Sequence, residues 1–257
     1  FNYEKRAFHE GNASESAFAD VIDKIQHSFV ETKPFPAIYL RDLFPVKYYE
    51  EMQRFFPLLD QMQSLGETGR VSSGAYPERL VTLFTEEHFQ RLDQMQQEFW
   101  GNFAQALTSE EFVHACINKF APWCSNRLAE LRDKHNSVRV RNDALLVNDR
   151  TNYAIGPHTD LPHRLISLLF YLPKDESLRY LGTSFYKHND PNFRCPGGPH
   201  YNFEDFNRLG SAPFLPNSLL MFVRTGASFH GVEPIKEQGI ERRLLISNIR
   251  LLDHDKS

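Results

Sequence analysis

Two short stretches, Gly156-Pro157-His158-Thr159-Asp160 and, far downstream, Ser228-Phe229-His230-Gly231-Val232, carry residue types that bind a transition metal. Two imidazoles and one carboxylate on one face of a divalent ion leave the opposite positions open. That arrangement suits non-haem Fe(II) that must take a co-substrate and O2. His158 and Asp160 stand at i and i+2, and such a pair shares a face only on an extended segment. Alone, a His-x-Asp is most often a surface pair or a hydrogen-bonded core pair. Its context narrows the reading. Residues 165–172 form an apolar, strand-like run after the pair, residues 218–223 form another before the second histidine, and Arg242-Arg243 open a third. A His-x-Asp, a distant His and an arginine on successive apolar strands make a far rarer pattern than any of its parts.

At these residues the chain resembles the Fe(II)/2-oxoglutarate-dependent oxygenases, and within them the prolyl-4-hydroxylase-like group, from about residue 33 to the C-terminus. The resemblance implies an α+β chain whose core is a double-stranded β-helix, jelly-roll or cupin-like, with N-terminal helices packed on the main sheet. It implies Fe(II), 2-oxoglutarate and O2, with succinate and CO2 released beside an oxidised substrate. His158, Asp160 and His230 would hold the iron. Relatives that halogenate replace the carboxylate with a small residue, so Asp160 favours hydroxylation. His163 is not a fourth ligand, because it would close a position that the co-substrate or O2 needs.

The far carboxylate of 2-oxoglutarate requires a fixed cation, and a guanidinium matches a carboxylate bidentately. The resemblance places that cation on the strand after the distal histidine, where Arg242 and Arg243 point to opposite faces. Arg242 is preferred because Asn248 then shares its inward face; Arg243 is the alternative register. Tyr171 matches a tyrosine that donates to the same carboxylate in similar enzymes, and Asn148 stands where relatives contact 2-oxoglutarate. Ser167 shares a strand face with Tyr171. For each of these three the alternative is a satisfied core polar group, and for Ser167 the two readings weigh equally. Thr183, Tyr186, Asn248 and Arg70 are candidate substrate contacts.

A length of 257 residues with 41% hydrophobic content supports a sizeable core. We expect one domain, mainly helical over 1–137 and β-rich over 138–257. Lys and Arg number 29 against 33 Asp and Glu, a net charge near −4, which gives no broad basic footprint for nucleic acid. Three cysteines, Cys116, Cys124 and Cys195, lack metal-finger spacing and point to free thiols in a reducing compartment, hence the cytoplasm. No apolar run reaches membrane-spanning length. The expected partner is a small molecule or a peptide.

The elements that must position these residues follow from periodicity. Residues 1–11 are unpatterned. From Ser14, the positions Phe18, Val21, Ile22, Ile25 and Phe29 recur at helical spacing until Pro34 and Pro36 stop them. A strand at 37–40, a helix at 47–56 and a loop at 58–76 follow. Arg70, Tyr76 and Arg79 either contact substrate or are solvated. Thr85 caps a helix with a stripe of Phe89, Leu92, Met95, Phe99 and Phe103, Ser109 caps another, and a last helix spans 122–134. Strand chemistry begins at Val138. The segment 187–207 mixes polar and aromatic groups, which suits a loop overhanging the metal and a small hydroxylated or zwitterionic ligand. Two other classes compete: a cupin-type metal enzyme without 2-oxoglutarate, and a non-catalytic β-barrel binding module. Neither needs a carboxylate clamp.

Overall fold

The computed structural model describes residues 13–135 and 139–252. The stretch at 1–11 and Val138 lie outside the described residues. Helix α1 (Ala13–His27), strand β1 (Ala37–Leu40), helix α2 (Val46–Arg54), strands β2 (Gln63–Ser64) and β3 (Arg79–Leu83), and helices α3 (Glu86–Phe89), α4 (Gln94–Leu107), α5 (Glu110–Lys119) and α6 (Ala121–His135) come first. They precede β4 (Val140–Asp149), β5 (Ile155–His158), β6 (Arg164–Tyr171), β7 (Thr183–His188), β8 (Phe206–Ala212), β9 (Ser218–Val223), β10 (His230–Val232) and β11 (Arg242–Leu251).

A seven-stranded antiparallel sheet has the order β1-β9-β6-β11-β4-β3-β2, and a four-stranded sheet has the order β5-β10-β7-β8. From β4 to β11 the chain crosses between the sheets at every connection except the β7–β8 hairpin. This is the two-sheet jelly roll of a double-stranded β-helix. The first half of the chain contributes more than helices, since β1, β2 and β3 extend both edges of the larger sheet.

Alternation of side chains explains why the central stretches of the larger sheet's strands are apolar at successive positions. On β11, Leu244 and Ile246 face the smaller sheet, while Leu245 and Ile249 pack with the helices. On β4 and β6, Leu145, Val147, Leu169 and Tyr171 belong to the inner cluster, and Leu146, Leu168 and Phe170 to the helical one. A sheet buried on both faces needs apolar residues at both phases.

The expected helix from Thr85 is two helices. Asp93 accepts from the Gln96 amide at 2.9 Å while Gln96 returns a bond to the Asp93 amide, a reciprocal cap that starts α4 afresh. Met95 is consequently exposed rather than part of the stripe. The loop over 58–76 contains β2 and two short 3-10 turns. No helix among the described residues is long and apolar enough to cross a membrane.

Phe103 on α4 joins the helical layer to the sheet. Its ring lies 5.0 Å from Phe18, 5.3 Å from Trp100 and 6.1 Å from Phe170, measured between centroids. Phe103→Ala should cost about 3–5 kcal/mol of stability by opening a cavity there. Urea denaturation checks this; a loss under about 1 kcal/mol would mean that the layer repacks freely.

Candidate active site

His158 ends β5, His230 begins β10, and the two are direct cross-strand partners. Their ring centroids are 4.3 Å apart. Each Nδ1 faces a carbonyl two residues upstream, Gly156 at 2.9 Å and Ser228 at 3.0 Å. A carbonyl only accepts, so in each neutral ring Nδ1 carries the proton and Nε2 keeps its lone pair for a metal. Asp160 lies in the turn after β5. It is gripped from β6, where Ser167 Oγ donates at 2.5 Å and Arg164 Nη1 at 2.6 Å, while Arg224 Nε holds its backbone carbonyl at 3.0 Å. One ligand atom from each of His158, Asp160 and His230 lies within 4.8 Å of the others, and all three residues are buried. His163 is not in this group.

The electrostatics suit a cation. Burial, followed by the neighbouring His230, pushes the His158 pKa well below the usual imidazole value, so its nitrogen is free at neutral pH. Burial alone would raise the Asp160 pKa. Arg164, the two imidazoles and the Ser167 hydroxyl outweigh it and hold the carboxyl well below its ordinary range.

The triad opens into a cavity of about 350 Å³ walled by Leu145, Leu169, Phe222, Leu244 and Ile246. Its deep end is cationic. Arg242 donates through Nη1 to Asp149 Oδ2 at 2.7 Å and through Nε to the Leu181 carbonyl at 2.7 Å. Arg79 reaches the same carboxylate through Nε at 2.6 Å and Nη2 at 3.0 Å. Phe214 lies 4.9 Å from the Arg242 guanidinium and Tyr153 lies 4.2 Å from that of Arg79. Two guanidiniums thus share one carboxylate and leave one positive charge in surplus, in a place where an unmatched charge is costly. Tyr171 donates to Thr183 Oγ1 at 2.7 Å, and burial pushes its pKa up to about 12, so the phenol stays protonated.

The sequence-derived candidates divide by strand face. Arg242, Thr183, Asn248, Ser167 and Arg70 line the cavity with the triad. Arg243 points the other way, paired with Glu241 over the Phe56 ring. Three expectations need correction. Asn148 is the cross-strand partner of Arg243 and shares its outward face, with Nδ2 3.4 Å from Glu241. Ser167 grips Asp160 and lies 3.2 Å from Asn248, so it serves the metal end and not the far carboxylate. Tyr186 is out of phase with the inward-facing Thr183 and Phe185 on β7 and packs outward with Phe203 and Phe206.

Asp149 and Arg164 were not among the sequence candidates, and His200 was read only as one polar group of the loop over 187–207. Asp149 reads as turn chemistry, although it continues the inward phase of Leu145 and Val147. His200 caps the mouth, its ring 4.6 Å from that of His158 and its Nδ1 against the Tyr76 hydroxyl. It is brought there because the loop after β7 seats on β5: Tyr201 donates to the Pro157 carbonyl at 2.9 Å. A Cβ at position 156 would lie 2.2 Å from the Tyr201 carbonyl, so glycine is required for that approach. From this loop only Gly198 and His200 line the cavity.

Stability should depend on pH with a defined sign. The folded His158 imidazole refuses a proton that the unfolded chain accepts, so stability falls as pH drops through about 6.5, the ordinary imidazole value. The depressed Asp160 carboxyl adds a second loss in the acid range below about pH 4. The urea midpoint of the metal-free protein should therefore be lower at about pH 5.5 than at about pH 7.5, and His158→Gln should flatten that slope. A slope unchanged by the substitution would contradict the assignment.

No protein-family model matches the chain, and no curated protein matches it in sequence. Among solved structures it is similar to a Pseudomonas putida prolyl-4-hydroxylase at 14% identity, covering 91% of this chain and 98% of that one with a TM-score of 0.49. A 2OG-Fe(II) oxygenase family oxidoreductase from Burkholderia pseudomallei matches at 12% identity, 96% and 93% coverage and a TM-score of 0.44. HygX from Streptomyces hygroscopicus, solved with nickel, 2-oxoglutarate and hygromycin B bound, matches at 11% identity, 83% and 82% coverage and a TM-score of 0.46. What the site can do follows from its own side chains rather than from these likenesses.

Proposed function

We propose that this protein is an Fe(II)- and 2-oxoglutarate-dependent oxygenase. It hydroxylates an unactivated C–H bond of a small polar metabolite, a sugar-linked precursor or a peptide side chain, with release of succinate and CO2. One observation supports this above others: a two-histidine, one-carboxylate triad opens into a cavity whose opposite end holds a buried, uncompensated guanidinium charge.

His158, Asp160 and His230 supply two nitrogens and one oxygen, a donor set that suits Fe(II) and leaves coordination positions free. Iron, when bound, would supply oxygen activation, and 2-oxoglutarate would supply two electrons to O2 through its own oxidative decarboxylation to succinate and CO2. The chain's own part is positioning. Gly156 and Ser228 carbonyls fix both imidazole tautomers, and Ser167 with Arg164 fixes the carboxylate. Nε and Nη1 of Arg242 are engaged by Leu181 and Asp149, which leaves Nη2 for a ligand carboxylate. Asp149 prevents Arg242 and Arg79 from repelling one another without cancelling both. The apolar walls exclude water between the two ends. A cupin-type hydrolase or isomerase with the same triad would have no use for that buried cation, and a binding module would have no use for the triad.

Conversion of 2-oxoglutarate to succinate under air, with Fe(II) and ascorbate, tests this reading. Asp160→Ala should abolish it; undiminished turnover would remove Asp160 from the metal. Arg242→Leu should weaken 2-oxoglutarate roughly ten- to hundredfold, as loss of a charge-assisted pair does, and Arg243→Leu should not. The reverse result would exchange the roles of the two arginines.

A further inference from the structure

The open end of the larger sheet, past the triad, carries like charges in a row. Arg250 on β11 stands opposite Arg164 on β6. Like charges directly opposite one another on a sheet are destabilising, so such a row needs negative charge to meet it. Two carboxylates meet Arg70, Arg164 and Arg250. Asp143 is shared by Arg70 at 3.2 Å and Arg250 at 3.6 Å, and the partner of Arg164 is Asp160, which also serves the metal. Arg250 Nε is enclosed and has no hydrogen-bond partner. Arg70, Arg164 and Arg250 keep 34%, 30% and 32% of their side chains exposed, so solutes can reach them. Arg70 and Arg164 line the cavity itself. This cationic patch sits on a chain whose net charge is −4, so it is a local feature and not a general basicity.

We propose that the primary substrate carries an anionic group, a phosphoryl or a carboxylate, which docks on Arg70, Arg164 and Arg250 while the carbon to be oxidised faces the triad. The proposal names the substrate class for the reading above and rests on it. It separates two anion sites along β11. Arg242 at the deep end takes the co-substrate, Leu244 and Ile246 form the apolar interval, Asn248 stands beside Ser167 at the metal, and Arg250 lies one inward position beyond. Guanidiniums suit phosphoryl and carboxylate oxygens alike, so the patch selects charge and planar donor geometry.

Isothermal titration of the metal-free 257-residue chain with inorganic phosphate, and separately with acetate, tests the mouth directly. The wild type should bind at least one of these anions, more weakly as salt is raised. Arg70→Gln/Arg250→Gln should weaken that binding about ten- to hundredfold, and Arg242→Leu should retain it. Preference for phosphate marks a phosphoryl substrate, and preference for acetate a carboxylate one. If neither anion binds, or if the double variant binds like the wild type, the proposal is overturned. Should the double variant fail to fold, arginine Nε–H resonances of the wild type decide, with Arg250→Lys identifying the signal. Phosphate or acetate must shift Arg250, and an unmoved resonance refutes the proposal. Anion binding at the mouth without succinate formation would sink the oxygenase reading alone. Succinate formation without anion binding would sink this one alone.

Discussion

A buried carboxylate stays ionised only if donors replace the water it has lost, and Asp160 finds them on the opposite sheet. Ser167 and Arg164 belong to β6 of the larger sheet, whereas Asp160 follows β5 of the smaller one. That pair of bonds closes one end of the jelly roll across its two layers. The same contact sets the third ligand beside His158 and His230, which the β5–β10 pairing has already joined. The spacing of the three candidate ligands is therefore a consequence of how the two sheets are pinned together.

Charge is distributed along the inward face of β11 in the order that the chemistry needs. Arg242 is enclosed, shares Asp149 with Arg79 and retains a net positive field; Leu244 and Ile246 interrupt the polarity; Asn248 returns it beside the triad. Apolar side chains between two polar ends keep the dielectric low, so the field of the buried cations acts on a bound carboxylate with little screening. The helical layer makes this possible. By covering the outer face of the larger sheet it lets β11 remain rigid and apolar on the side that the site does not use.

Much of this was legible in the chain itself. The triad emerged from His158, Asp160 and His230 because each lies beside an apolar strand of the right length, and strand phase separated Arg242 from Arg243. Phase also carried a warning that went unused. Asn148 is out of step with Leu145 and Val147, which is why it faces Glu241, and Asp149 is in step with them, which is why it faces the cavity. Other features depend on contacts between distant segments and leave no local trace. Ser167 shares a face with Tyr171, yet only the path of the turn at 160–164 decides that its hydroxyl meets Asp160. His200 reaches the mouth because Gly156 lets a long loop come close.

The central claim is that the triad and the deep guanidinium act on one molecule, chelated at one end and clamped at the other. Anaerobic titration of the Fe(II)-loaded protein with 2-oxoglutarate, followed by visible absorption, tests it most directly. Chelation of Fe(II) by a 2-oxo acid produces a metal-to-ligand charge-transfer band. The account predicts a saturable band with 2-oxoglutarate, and a much weaker apparent affinity for pyruvate, which has the chelating end but no carboxylate for Arg242. Equal affinities for the two acids would contradict the clamp, and absence of any band with Fe(II) bound would contradict the site as a whole.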